Sequence, residues 1–129
     1  METQPLSHKI RALIIDDKKV VGDFFNYVLG ADGHDITVIN NPNEAMELIK
    51  RNNFDIAFCD IVMPQKDGLT LLQEIKTTFP ELPVVMMSGF MLDSQRKRAF
   101  ELGAVTCLDK PFHKEDLQTA IKSATGIEI

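Results

Sequence analysis

Cysteine is scarce in this chain. The only two, Cys59 and Cys107, stand far apart and match no metal-binding or redox spacing. They read as small buried hydrophobes in a reducing cytosol. An excess of positive charge is also missing: 14 Lys and Arg stand against 19 Asp and Glu, a net charge of −5. A phosphate backbone calls for a basic stripe, so direct nucleic-acid binding and membrane-surface binding are both disfavoured. No apolar run approaches the roughly 20 residues of a membrane span. The opening METQPLSHKI lacks the apolar stretch of a secretory signal, so a cytoplasmic protein is expected. There is no glycine-rich loop ending in lysine, which argues against phosphate-loop nucleotide enzymes. No internal repeat or low-complexity segment breaks the chain.

What is present is alternation. The 129 residues suit one domain. Residues 1–9 are polar with a proline and read as a loose tail, residues 126–129 as a short C-terminal tail, and residues 10–125 as the domain. Within it, short apolar runs alternate with helix-period stretches. ALII (12–15), ITVI (36–39), DIAFC (55–59), PVVMM (83–87) and VTCL (105–108) have strand length, and the most continuous of them suit strands covered on both faces. Between them lie helical patterns. VVGDFFNYVL (20–29) buries Val21, Phe24, Phe25, Val28 and Leu29, and PNEAMELIKR (42–51) starts at Pro42 with Asn41 as cap. GLTLLQEIKTTF (68–79) turns Leu69, Leu72, Ile75 and Phe79 inward. SQRKRAFELG (94–103) ends at Gly103, and KEDLQTAIKSA (114–124) is the last helix. Five βα units predict an α/β fold: an open, doubly wound parallel sheet between two helix layers, with right-handed crossovers. Ligands of such sheets bind outside the carboxyl ends of the strands.

Polar residues gather at those ends. The first strand runs into Asp16-Asp17, the second into Asn40-Asn41, the third into Asp60, the fourth into Ser88-Gly89 and the fifth into Asp109-Lys110-Pro111. Each alone is an ordinary turn or cap. Together, on one sheet edge, they form a chemical set. Crowded carboxylates raise each other's pKa. Magnesium relieves them, because it prefers oxygen ligands, keeps several waters and accepts phosphate. Lys110 adds a compact positive charge. A carboxylate flanked by a metal and an ammonium is suited to accept a phosphoryl group.

At these residues the chain closely resembles the receiver domain of two-component response regulators, of the stand-alone chemotaxis-regulator-like type. The markers are LIIDD (13–17), CDIVMPQKDGLTLL (59–72), VVMMSG (84–89) and GAVTCLDKPF (103–112). The resemblance implies a flavodoxin-like sheet of order 2-1-3-4-5. It implies Asp60 as the phosphorylated aspartate and Asp17 as a direct Mg2+ ligand. Asp16 would hold a metal-bound water, and the Val62 backbone carbonyl would complete the protein's share of the metal shell. Ser88 and Lys110 would meet the phosphoryl group, and the Lys110-Pro111 bond would be cis. The implied donor is a sensor histidine kinase or a histidine phosphotransfer protein, docking at the first helix beside Val20 and at the loop after Lys110. The protein would act as a signalling phospho-acceptor that catalyses only its own phosphorylation and dephosphorylation. The chain ends soon after the last helix, so a receiver acting alone on a downstream protein is expected.

One position departs from the family. Tyr or Phe usually stands three residues before the lysine, as the side chain that rotates with the signal; here it is Cys107. The readout is therefore expected in the loop and helix from Phe90 to Leu102. Phe100 is a candidate anchor for a partner, and Phe90 is expected to cover the phosphoryl group from attacking water. Two other readings are weaker. A pseudo-receiver would lack one of Asp17, Asp60 or Lys110, and none is lacking. A phosphatase of the haloacid dehalogenase class would carry an acid two residues after the nucleophile, where Val62 stands.

Overall fold

Five runs of apolar residues become the five strands of one parallel sheet. They are β1 (Arg11–Ile15), β2 (Asp35–Ile39), β3 (Ile56–Asp60), β4 (Val84–Ser88) and β5 (Thr106–Asp109), in the order β2-β1-β3-β4-β5. The computed structural model describes residues 9–129, so the expected tail of residues 1–9 lies outside the described residues except for Lys9. The three inner strands, β1, β3 and β4, are buried almost throughout, whereas β2 and β5 at the edges are only partly covered. That is why the inner strands read as near-continuous apolar runs.

Successive strand residues face opposite sides and feed two cores. Leu13, Ile15, Ala57, Cys59, Val84 and Met86 meet Ala45 and Ile49 of α2 (Ala45–Arg51). The same core takes Leu71, Leu72 and Ile75 of α3 (Gly68–Thr78) and Ala99 of α4 (Asp93–Glu101). On the other face, Ala12, Ile14, Phe58, Val85 and Met87 meet Phe25 of α1 (Lys19–Phe25) and Leu117 and Ile121 of α5 (Lys114–Thr125). The Phe25 and Phe58 rings lie 4.8 Å apart between centroids, tilted across that second core.

The elements depart from the sequence pattern in four places. First, β3 begins at Ile56 and ends at Asp60 itself, one residue later than expected. Asp55 is exposed, where its carboxylate accepts the Arg11 N–H at 2.8 Å. Second, the first helix continues into a wide turn over Asn26–Gly30, which carries Leu29 into the core. Third, Leu71 is the buried residue of α3 that periodicity overlooked, while Leu69 and Phe79 pack only partly against the core. Fourth, a one-turn 3-10 segment at Pro42–Glu44 precedes α2; the Asn41 side chain caps it, as expected, by accepting the Asn43 N–H at 3.0 Å.

Gly68 sets the distance between α3 and the end of β3. Its N–H donates to the Ile61 carbonyl at 2.7 Å. A Cβ built on it would lie 2.0 Å from the Asp60 carbonyl oxygen. Only glycine permits that approach. Beside it, Asp67 caps α3 by accepting the Thr70 N–H at 3.3 Å. The PQKDG segment thus returns the chain to the sheet immediately after the candidate phosphoacceptor.

Candidate functional site

The parallel order places the ends of β1, β3, β4 and β5 side by side, and the polar residues that follow from the sequence meet there. Asp16, Asp60 and Ser88 are almost wholly buried, at 1%, 2% and 2% exposure. Asp16, Asp17 and Asp60 each offer a carboxylate oxygen, and these oxygens lie within 4.8 Å of one another. The Lys110 ammonium enters from the end of β5. It stands 2.7 Å from Asp16 Oδ2 and 3.4 Å from Asp60 Oδ1. Three acids therefore share one buried ammonium.

The three carboxylates are not equally occupied. Asp16 is satisfied on both oxygens, since Oδ1 accepts the Lys18 N–H at 2.8 Å and Oδ2 takes Lys110. Asp60 leans on Lys110. Asp17 Oδ1 is buried and has no hydrogen-bond partner among the described residues; the Lys18 ammonium, at 3.7 Å, is too far to donate. A buried, unmatched carboxylate oxygen is costly. Burial, and then the neighbouring Asp16, push the Asp60 carboxyl above the ordinary carboxylate range, with Lys110 and the Val62 N–H opposing them. An oxygen-seeking divalent cation would answer both the orphaned oxygen and the crowding, so the donor set fits such an ion. The Val62 side chain points to solvent, which leaves its backbone facing the acids.

The hydroxyl of Ser88 is spent locally. It donates to the Phe90 carbonyl at 2.8 Å and accepts the Phe90 N–H at 3.2 Å, closing the loop after β4. The Lys110 N–H donates to the Ser88 carbonyl at 2.8 Å, and the Lys110-Pro111 peptide is cis. Cys59 is buried behind Asp60, and its thiol, pushed up by burial, donates to the Asp60 carbonyl oxygen at 3.4 Å. Cys107 is buried at 8% exposure in β5, where desolvation raises its thiol too.

The surface candidates do not join this cluster. Val20, Phe90 and Phe100 are exposed at 70%, 77% and 48%. Phe90 therefore stands in solvent instead of covering the site, because its backbone is drawn to Ser88 while its side chain projects outward. Two features escaped the sequence reading. Val20 and Val21 share an apolar groove of about 360 Å³ with Phe24, Pro111 and Phe112, rimmed by Lys18 and Lys110. Phe112 directly after Lys110-Pro111 was the signal for it, but only the fold sets that residue against Phe24, at 5.6 Å between ring centroids. The Arg96 guanidinium also reaches Asp109 at 3.0 Å, tying α4 to the end of β5.

Known proteins agree with this arrangement. The family described as the response regulator receiver domain matches residues 12–122. A CheY-like response regulator receiver domain protein from Methanospirillum hungatei JF-1 superposes with a TM-score of 0.86 at 24% identity, over 92% of this chain and 95% of that one, a likeness of fold. A response regulator receiver domain protein from Clostridium thermocellum gives 0.84 at 27% identity, over 91% of this chain and 94% of its own. The Francisella response regulator 1452 receiver domain gives 0.82 at 27% identity, over 92% and 98%. With a family match across almost its whole length and a sheet of the order 2-1-3-4-5, the chain belongs to the response regulator receiver domains.

Proposed function

We propose that Asp60 is the phosphoacceptor of this receiver and that Asp16, Asp17 and the Val62 carbonyl hold Mg2+ beside it. The observation that supports this most is the unequal state of the three acids. Asp16 is saturated, Asp60 shares an ammonium, and Asp17 presents an orphaned buried oxygen. Magnesium, when bound, would neutralise the crowded carboxylates and the equatorial phosphoryl oxygens. In the transfer, an Asp60 oxygen forms the new bond to phosphorus. The bond from phosphorus to the donor's histidine nitrogen breaks, and the imidazole leaves. Lys110 holds charge on the incoming group, and the cluster's burial limits water.

The donor is a phosphohistidine on a histidine kinase or phosphotransfer protein, docking on the groove lined by Val20, Phe24 and Phe112. An apolar groove rimmed by two ammonium groups suits a helix that is apolar on one stripe and carries an anionic phosphoryl group. No helix among the described residues is long and apolar enough to cross a membrane, and a cytoplasmic encounter with the kinase is part of the same reading.

The test is mass measurement after incubation with acetyl phosphate, with and without Mg2+. One phosphoryl group should add in the presence of the metal and none in Asp60→Asn. Stable phosphate on Asp60→Asn would overturn the assignment. Asp17→Ala should lower Mg2+ affinity; an unchanged magnesium titration would remove Asp17 from the metal shell. Val20→Asp should slow transfer from a phosphohistidine donor while leaving acetyl phosphate labelling intact. Equal transfer rates would dismiss the groove.

A further inference from the structure

Helix α4 is held to the sheet mainly by polar ties. Ala99 is its only buried residue. One tie lies just ahead of it, where the Ser88 hydroxyl both donates to and accepts from the Phe90 backbone. The other is the Arg96–Asp109 ion pair at 3.0 Å, partly exposed on both sides. Both ties end on one cross-strand pair, since Ser88 and Asp109 are register partners in β4 and β5. The next residue along is Lys110, whose N–H donates to Ser88 and whose ammonium lies between Asp16 and Asp60. Arg96 and Asp109 are also the two charges that act on the Cys107 thiol, with opposite signs. The ion pair therefore sits beside the position where the family carries its rotating aromatic.

We propose that the Arg96–Asp109 ion pair is the switch element of this receiver, strapping α4 to the end of β5 until phosphorylation of Asp60 opens it. The inference rests on Asp60 being the phosphoacceptor. A hydroxyl has one proton, and that of Ser88 is given to the Phe90 carbonyl. A phosphoryl oxygen that captures it breaks that bond and leaves the carbonyl unmatched. The Lys110 ammonium is drawn from Asp16 at the same time. Both movements act on the Ser88–Asp109 pair, and an exposed ion pair is weak enough to yield. What is released is the segment from Phe90 to Glu101, which presents Phe90, Leu92 and Phe100 to solvent. No aromatic rotor is needed, so a cysteine at position 107 suffices.

Amide hydrogen exchange on the whole chain tests this. Arg96→Gln and Asp109→Asn should each raise exchange across Asp93–Glu101 in the unphosphorylated protein, by about two- to fivefold. High salt should do the same to the wild type, because the pair is open to screening. Beryllofluoride with Mg2+ should raise exchange in these amides in the wild type and add little in either variant. Unchanged exchange in α4 of the two variants would overturn the strap. So would a beryllofluoride response in Asp109→Asn as large as in the wild type. A wild type that ignores beryllofluoride would overturn the phosphoacceptor reading and the release step, while the variants would still decide the strap in the unphosphorylated protein.

Discussion

Helices α3 and α4 lie on the same face of the sheet and are held there by different physics. The eleven residues of α3 bury Gly68, Leu71, Leu72 and Ile75. Its start is pinned by a glycine pressed against the Asp60 carbonyl and by an aspartate cap. The nine residues of α4 bury Ala99 alone, and the remaining ties are a hydroxyl, a backbone bond and an exposed ion pair. Apolar burial is strong and cannot be switched by a charge. Exposed polar ties are weak and respond to one. The helix after the phosphoacceptor is thus a fixed support, and the helix after the candidate switch serine is free to report.

The sharpest break of this comparison is a pair of glycine substitutions. Gly68→Ala forces a Cβ onto backbone that cannot move, and it should cost about 4 kcal/mol, enough to unfold much of a small domain. Gly89 has nothing within 4 Å of a Cβ, so Gly89→Ala should stay within about 0.5 kcal/mol of wild type. Urea unfolding of both would check the contrast; equal midpoints would refute it. Next in size, Leu72→Ala should cost about 3 kcal/mol through the cavity it leaves in the core. Phe100→Ala, at the exposed outer face of α4, should cost less than about 0.5 kcal/mol in the same assay.

A smaller effect follows from Asp60. Its carboxyl binds a proton more tightly folded than unfolded, because burial and Asp16 raise its pKa. The folded state is therefore favoured where that proton is bound. Stability contributed by this group is greatest below the ordinary carboxylate range and falls as pH rises through the raised value. Asp60→Asn should raise the thermal midpoint of the metal-free protein at neutral pH and flatten that decline. Added Mg2+ should stabilise the wild type at neutral pH by mass action. A midpoint in Asp60→Asn at or below the wild type would contradict the crowding. The smallest effect concerns water. Val62 and Phe90 are apolar and exposed, so neither orders a water at the site. Phe90→Glu and Val62→Asn should shorten the acyl phosphate half-life by about threefold, under 1 kcal/mol of barrier. An unchanged half-life would show that water access is set elsewhere.

The two regions also differ in how legible they were. On the α3 side, the strand run, the acid at its end and the Asp67-Gly68 start of the helix are contiguous, so local pattern carries them. Leu71 was overlooked because Leu69, Leu71 and Leu72 crowd one turn and periodicity alone cannot rank them. On the α4 side, DSQRKRAFE has little apolar periodicity. Its outward Phe100 and inward Ala99 followed from aligning on Gly103-Ala104, and both stand as expected. The Phe90 expectation failed because its side chain direction is decided by a hydrogen bond that its backbone makes to Ser88.

What the sequence determined by itself is whatever depends on neighbours in the chain. It set the alternation of buried strands and helices, the acids and the lysine at strand ends, the caps, and the glycine that a close approach requires. Residue order decides these because strand and helix periods and turn chemistry act over a few positions. The tertiary structure decided what depends on distance between remote residues. It chose which of three acids keeps an unmatched oxygen, gave Lys110 to Asp16 before Asp60, and joined Phe24 to Phe112 and Arg96 to Asp109. Hydrogen bonds and ion pairs act only within about 3–4 Å, and no local pattern sets separations that fine between strands far apart in the chain.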